Sequence, residues 1–318
     1  MPKSVLLIGG SGFIGRQIAA KLAQRGHRLT VPTRHREAVK ADLLVLPNCN
    51  LIETDIHSPA VLNQLCAGQD IVINLVGILH GSATAFEFNH ILLTEKIIAA
   101  CQANGVKRYL HMSALGADIN GPSMYQRSKG QAELKVRASQ LDWTIFRPSV
   151  VFGAQDRFLN LFAGLLKIAP LLPIGGANTR FQPVWVGDVA RAFAAAIERR
   201  ELIGQTLHLV GPHVYTLAEL VRYTGQISGH SRAVIALPDW AARLQASLMS
   251  ILPNPPVSHD NLDSLKVDNI DPAGFASVLG WQPAALETIA PSYLAQSNPS
   301  ARLDLLRSQA SRSPHKES

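Results

Sequence analysis

The sequence predicts a doubly wound, parallel α/β sheet completed by a smaller C-terminal lobe. Three observations carry that expectation: short apolar segments alternate with helical ones from residue 4 to about 151, a glycine-rich turn stands at the first such junction, and the rhythm changes after Gly153. Short apolar strands between helices are buried on both faces, as in a parallel sheet covered by helices on each side.

Ser4–Ile8 reads as a buried strand and Ile14–Gln24 as a helix with apolar residues at helical spacing. Arg28–Val31, Leu51–Thr54 and Ile71–Leu75 are further strands, the last preceded by a helical stretch near Val61–Leu65. A helix over Phe88–Ala103 stops at Asn104-Gly105, a pair suited to a helix C-terminus. Tyr109–Met112 is a strand, Tyr125–Ser139 a helix and Thr144–Val151 a strand. Residues 154–183, rich in Gly and Pro, read as an excursion from the sheet, to which helix Asp188–Arg199 (Asp188 as its N-cap) and strand Gln205–Val210 return. The expected organisation is a nucleotide-binding domain over 1–153 completed by about 184–211, a lobe from 154–183 and 212–297, and a mobile tail over 298–318.

Composition is that of an ordinary globular chain: 318 residues, 47% hydrophobic and 17% charged. The net charge of +7 is spread along the sequence without a basic run or a nucleic-acid-binding motif, so no nucleic-acid partner is expected. Cys49, Cys66 and Cys101 are odd in number and lack metal spacing, which points to a reducing compartment, buried thiols and no metal site. The apolar segment Ser4–Ile8 is too short for a signal-peptide core, and Lys167, Pro170 and Pro173 interrupt the stretch Phe158–Ile174. A cytoplasmic protein follows, with peripheral membrane attachment left open.

Gly9-Gly10-Ser11-Gly12-Phe13-Ile14-Gly15 lies between the first strand and the first helix. Glycines at this spacing permit a tight turn, close approach of backbone to a pyrophosphate, and close packing of helix on sheet. The helix N-terminus adds unpaired N–H groups and a positive dipole end. A nicotinamide dinucleotide is therefore the expected cofactor. Thr33-Arg34-His35-Arg36, at the end of the second strand, contains no acid to receive a ribose 2′-hydroxyl. Arg34, with Arg36 beside it, suits a 2′-phosphate, so NADP(H) is preferred and NAD(H) is the second choice.

Tyr125 and Lys129 stand four apart on one helix face. A nearby ammonium is expected to lower the tyrosine's pKa and let the phenol exchange a proton with a carbonyl or alcohol. With the glycine loop, Asp55-Ile56, Val76-Gly77, Asn89 and Arg147-Pro148-Ser149-Val150-Val151-Phe152-Gly153, the chain resembles an extended or atypical short-chain dehydrogenase/reductase of the NAD-dependent epimerase/dehydratase type. The resemblance implies that Asp55 and Ile56 meet adenine, that Pro148 and Val151 border the nicotinamide, and that Lys129 reaches its ribose. It further implies Tyr125 as acid/base, Lys129 as orienting cation and Asn89 as a support of the proton path. The family's catalytic Ser/Thr position falls on Leu115, leaving Ser113, two residues earlier on the same side of the strand, as the candidate hydroxyl.

Gln155–Asn160, Phe181–Val186 and Leu209–Pro212 resemble, within that family, the NADPH-binding accessory subunit of mitochondrial complex I and its bacterial relatives. The resemblance implies either an NADP(H)-dependent oxidoreductase acting on a small carbonyl, alcohol or quinone-related substrate, or a module that holds NADPH with little turnover. The second would serve a respiratory complex or quinone synthesis. Trp240, Leu244, Leu248, Met249, Ile251 and Leu252 lie on a helical stretch that reads as lobe core ahead of a membrane or partner surface. His259 and Asp260 read as a solvated loop.

Overall fold

Seven parallel strands form the central sheet of the computed structural model, which describes residues 1–251 and 255–295. In chain order its elements are β1 (Ser4–Ile8), α1 (Phe13–Gln24), β2 (Arg28–Thr33), α2 (Arg36–Leu43), β3 (Cys49–Glu53), α3 (Pro59–Cys66), β4 (Ile71–Asn74), α4 (Leu93–Ala103), β5 (Arg108–Met112), α5 (Met124–Ala138), β6 (Asp142–Pro148), α6 (Val186–Glu198) and β7 (Gln205–Leu209). The strand order is β7-β6-β5-β4-β1-β2-β3. The chain leaves β1 toward β2 on one side and later returns to β4 on the other. A crevice therefore opens at the C-terminal ends of β1 and β4, where this kind of sheet binds its ligand.

The sheet belongs to a unit made of Met1–Ser149, Val186–Val210 and Asp271–Trp281. One face packs α3, α4 and α5 around Leu62, Ile97, Cys101, Tyr109 and Val136, and α1 packs with α6. Cys66 and Cys101 are buried and Cys49 is half-buried. Pro59 opens α3 behind Ser58, and Ser123 with Gln126 forms a capping box that fixes the start of α5. The segment Asp271–Trp281, which the sequence assigned to the lobe, joins this unit through the His208 Nδ1–Asp271 Oδ2 contact of 2.7 Å and the bond from Ala276 N–H to His208 O.

One helix, α2, has no counterpart among the expected elements, and two local expectations are corrected. α2 has no apolar stripe, with Leu43 its buried residue, and the Glu53 carboxylate accepts from Arg36 N–H at its start. The expected single helix over Phe88–Ala103 begins earlier, at Ala83 behind a Ser82 cap, and passes through a π-helical turn at Glu87–Leu92 before α4. Asp188 lies in the first turn of α6, which starts at Val186, and is not its N-cap.

Among the described residues, the second unit contains Val150–Trp185, Gly211–Ile270 and Gln282–Ala295. Helices Leu159–Ile168 and Leu217–Ser228 pack around Phe152, Leu166, Leu220 and Val221. Strands Leu171–Ile174 and Ala233–Ala236 pair in parallel beside them. A capping box of Ser258 and Asn261 draws His259 and Asp260 into the first turn of helix His259–Ser264, with Asp260 buried, in place of the expected solvated loop. The expected tail 298–318 and Leu252 lie outside the described residues.

Candidate dinucleotide and proton-transfer site

The glycine loop leaves no room for a side chain at Gly9, Gly10 or Gly15. Gly9 has φ +80°, and a Cβ there would press on the Leu75–Val76 backbone at 3.2–3.3 Å. A Cβ on Gly10 would meet Leu7 at 2.8 Å, and one on Gly15 would lie 2.4 Å from Gly9 O. This cradle brings the start of α1, from Gly12 through Phe13 and Ile14, against the end of β1. The first-turn N–H groups of a helix have no partner within it, so those of α1 are available to an anion. The arrangement fits a dinucleotide pyrophosphate, with Ser11 at the tip of the turn.

Arg34 follows Thr33, the last residue of β2, as an exposed side chain, next to exposed His35 and Arg36. After β3, the Asp55 carboxylate accepts from His57 N–H at 3.0 Å, while Ile56 packs half-buried on the core. The His57 ring stacks on Phe88 at 4.1 Å, and Lys96 Nζ donates to His57 O at 2.9 Å. These contacts anchor segment 55–57 to the neighbouring helix, so that Arg34, Asp55 and Ile56 stand at adjacent strand ends.

The loop after β4 is clamped at three points. Val76 N–H donates to Asn74 Oδ1 (3.1 Å), Val76 O accepts from Lys129 Nζ (3.2 Å), and Ile78 N–H donates to His90 Nε2 (3.0 Å). Lys129 Nζ also donates to Met112 O at 3.1 Å. At Gly77 a Cβ would sit 3.1 Å from Lys129 Nζ, so this position is kept small by the ammonium.

Tyr125 and Lys129 share α5 as expected, but the electrostatics are reversed. Burial pushes the Tyr125 phenol up to about 12, whereas an ammonium at bonding distance would have lowered it. Lys129 directs two of its three N–H groups to the Val76 and Met112 carbonyls, and the Tyr125 ring rests edge-on against Phe86 and His90. Lys129 itself is buried and pushed down to about 8, with the Glu133 carboxylate pulling weakly the other way. The resting site thus holds a protonated phenol at neutral pH.

His90 is a site residue that sequence reasoning missed. It is buried in the π-turn, with Nε2 accepting from Ile78, which leaves its hydrogen on Nδ1 for Ser128 Oγ at 2.8 Å. Ser128 in turn donates to Tyr125 O at 2.9 Å. His90 therefore ties the 76–78 loop to the turn of α5 that carries Tyr125. Asn89, the expected support, is half-buried and donates to Ala85 O of its own helix at 2.9 Å. The extra residue of the π-turn rotates the face, so His90 takes the inward position.

Ser113 is buried, and its N–H and that of Leu115 both donate to β6-side carbonyls, Phe146 O and Pro148 O, which keeps them on one side of the strand. Its hydroxyl lies near Glu133 and helps to hold that carboxylate low, without a hydrogen bond of full geometry. Burial opposes ionisation of Glu133, but hydrogen bonds from Arg147 (two of 2.7 Å) and Arg137, with the Arg147 charge, hold its carboxyl below the usual range. Ser113 thus belongs with the Glu133–Arg147 pair behind Lys129. Pro148 ends β6, whereas Val151 lies in the second unit, in register with Val184.

Burial pushes His90 down to about 2 and His111 to about 3, with the Lys129 charge adding to both. A histidine whose folded pKa is depressed contributes stability that is present above pH ~6.5 and lost as pH falls toward the folded value. Between neutral pH and about pH 5, each should withdraw roughly 2 kcal/mol of folding stability. Urea unfolding across this range checks the loss; His111→Phe should flatten the slope, and an unchanged slope would contradict the assignment.

A family model described as NAD(P)H-binding matches residues 9–156, the span that holds the glycine loop and Tyr125. Over 281 residues the chain is 30% identical to subunit 9 of the NADH dehydrogenase (ubiquinone) 1 alpha subcomplex, mitochondrial, of Arabidopsis thaliana, covering 83% of this chain and 70% of that protein. It is also 30% identical to a ceramide reductase of Caulobacter vibrioides over 240 residues, 74% of each chain. Its fold is similar to that of a nucleoside-diphosphate-sugar epimerase from Staphylococcus aureus, with a TM-score of 0.73, 18% identity, and coverage of 92% and 100% of the two chains. The glycine cradle and these relatives agree: the chain belongs to the NAD(P)H-binding family that includes subunit 9 of the mitochondrial NADH dehydrogenase (ubiquinone) 1 alpha subcomplex and its 40 kDa counterpart.

Proposed function

We propose that the protein is an NADP(H)-dependent reductase in which Tyr125 delivers a proton to the oxygen of a substrate carbonyl. The observation that carries this reading is the placement of Tyr125 on a helix turn tied through Ser128 and His90 to the 76–78 loop, which Lys129 of the same helix also clamps. Gly9–Gly15, Asp55, Ile56, Val76 and Gly77 would hold the dinucleotide, which when bound would provide the hydride. As a carbonyl oxygen gains charge, the Tyr125 hydroxyl donates to it. The Lys129 ammonium, one helix turn away, then opposes the new phenolate charge. Two of its N–H groups hold carbonyls, which leaves the third for a ligand.

The test is NADPH oxidation on addition of ketones, aldehydes and quinones, including long-chain ketones because one relative is a ceramide reductase. Substrate-dependent oxidation is expected; retention of NADPH with no oxidation by any class would overturn turnover. That second outcome is the accessory-subunit reading, favoured by the similarity to complex I subunits and by the placement of Ser113 beside Glu133. Under it the same clamp holds the cofactor as a structural part of a respiratory assembly.

Cofactor choice rests on Arg34. NADPH is expected to bind at least about tenfold tighter than NADH, because a guanidinium makes charge-assisted bonds to a 2′-phosphate. Arg34→Ala should remove most of that preference in a two-cofactor titration while leaving NADH affinity within a few-fold. An unchanged preference would move the 2′-phosphate site elsewhere.

A further inference from the structure

Helix Asp239–Met249 of the second unit is amphipathic in an inverted sense. Its buried face is Ala242 and Ala246, packed on Leu262, while Trp240, Leu244 and Leu248 are exposed one turn apart. Ile251 continues the stripe just beyond the helix and is 85% exposed; Trp240, at the other end, is 72% exposed. This corrects the expectation that the stretch is lobe core. Two small alanines let the helix lie close on its neighbours, and the large side chains are left outside.

The apolar surface extends beyond the helix. Gln245 Nε2 donates to Pro173 O, and a Cβ on Gly175 would meet Ala242 at 2.7 Å, which seats the helix on the end of strand Leu171–Ile174. That strand and its partner expose Leu171 and Ile235, and Ile168 stands 79% exposed beside them. Asp239 is the only acid in the segments 159–178 and 229–251 that build this surface. It is paired with Arg243 at 2.9 Å, and Arg243 also binds Asp263. Lys167 and Arg232 are exposed next to Ile168 and Ala233 and make no ion pair among the described residues.

We infer that this face docks on an anionic lipid bilayer, with the Trp240–Ile251 stripe in the interface and Lys167 and Arg232 toward headgroup phosphates. An aliphatic stripe with a tryptophan at its edge and flanking unpaired cations is the composition that lies in a bilayer interface. The charge complementarity of the two unpaired cations with headgroup phosphates favours a lipid surface over a protein partner. No helix among the described residues is long and apolar enough to cross a membrane, so the attachment is peripheral. The inference does not depend on the reductase reading, because it involves no residue of the dinucleotide site.

Flotation of the full chain with phosphatidylcholine vesicles, with and without phosphatidylglycerol, tests it. Binding to the anionic vesicles, weakened by salt, is expected. The double variant Trp240→Ser/Leu248→Ser should lower the bound fraction at least about tenfold, and Lys167→Glu/Arg232→Glu should remove the dependence on phosphatidylglycerol. Both variants change exposed side chains and should keep NADPH affinity and melting temperature, which separates lost docking from lost folding. No flotation on anionic vesicles, or flotation unchanged in the Trp240/Leu248 variant, overturns the inference. So does a dimer or a protein complex that buries Trp240 and is abolished by Trp240→Ser.

Discussion

Tyr125→Phe is expected to lower turnover by about two orders of magnitude or more while NADPH affinity stays within a few-fold. The substitution removes one hydroxyl and retains the ring that packs edge-on against Phe86 and His90, so the turn of α5 keeps its place. Ser128 bonds to the backbone oxygen of residue 125, a contact the substitution does not touch. Loss of activity without loss of binding therefore isolates the proton. Steady-state kinetics on a substrate found in the NADPH-oxidation screen make the measurement, and full activity in Tyr125→Phe would remove Tyr125 from the chemistry.

Gly15→Val is expected to lower dinucleotide affinity by at least about a hundredfold. A Cβ at this position would stand 2.4 Å from Gly9 O and 2.6 Å from Gly10 Cα, both backbone atoms that cannot rotate away. The start of α1 must move off the loop, taking its free N–H groups with it. A cooperative melting transition, measured alongside the NADPH titration, shows that the rest of the sheet remains folded. Gly26, by contrast, has φ +79° with nothing within 4 Å of its Cβ position. Gly26→Ala should cost folding stability through backbone strain and leave affinity unchanged. Equal losses of affinity in the two variants would mean that the cradle is not the binding element.

The strands were legible because each of β1 and β4 is a short apolar run buried on both faces, and the glycine loop because its spacing answers a single geometric demand. What the sequence hid has identifiable causes. α2 buries only Leu43 and therefore carries no periodic signal. Asn89 and His90 exchange roles because a π-turn inserts a residue that no hydrophobic period records. The i, i+4 spacing of Tyr125 and Lys129 brings them to one face but does not say where Nζ points. Its bonds to Val76 O and Met112 O leave burial to set the phenol's pKa. Periodicity likewise groups Trp240, Leu244 and Leu248 on one face without saying that the alanine face is the buried one.

The central claim is that the loop Gly9–Gly15, with Arg34 at the adjacent strand end, forms a site for NADP(H). Calorimetric titration of the cofactor-free protein with NADPH and then with NADH tests it most directly. The account predicts one saturable site per chain, filled by NADPH at least about tenfold more tightly than by NADH. Equal affinities would contradict the role of Arg34, and no saturable binding of either dinucleotide would contradict the site itself.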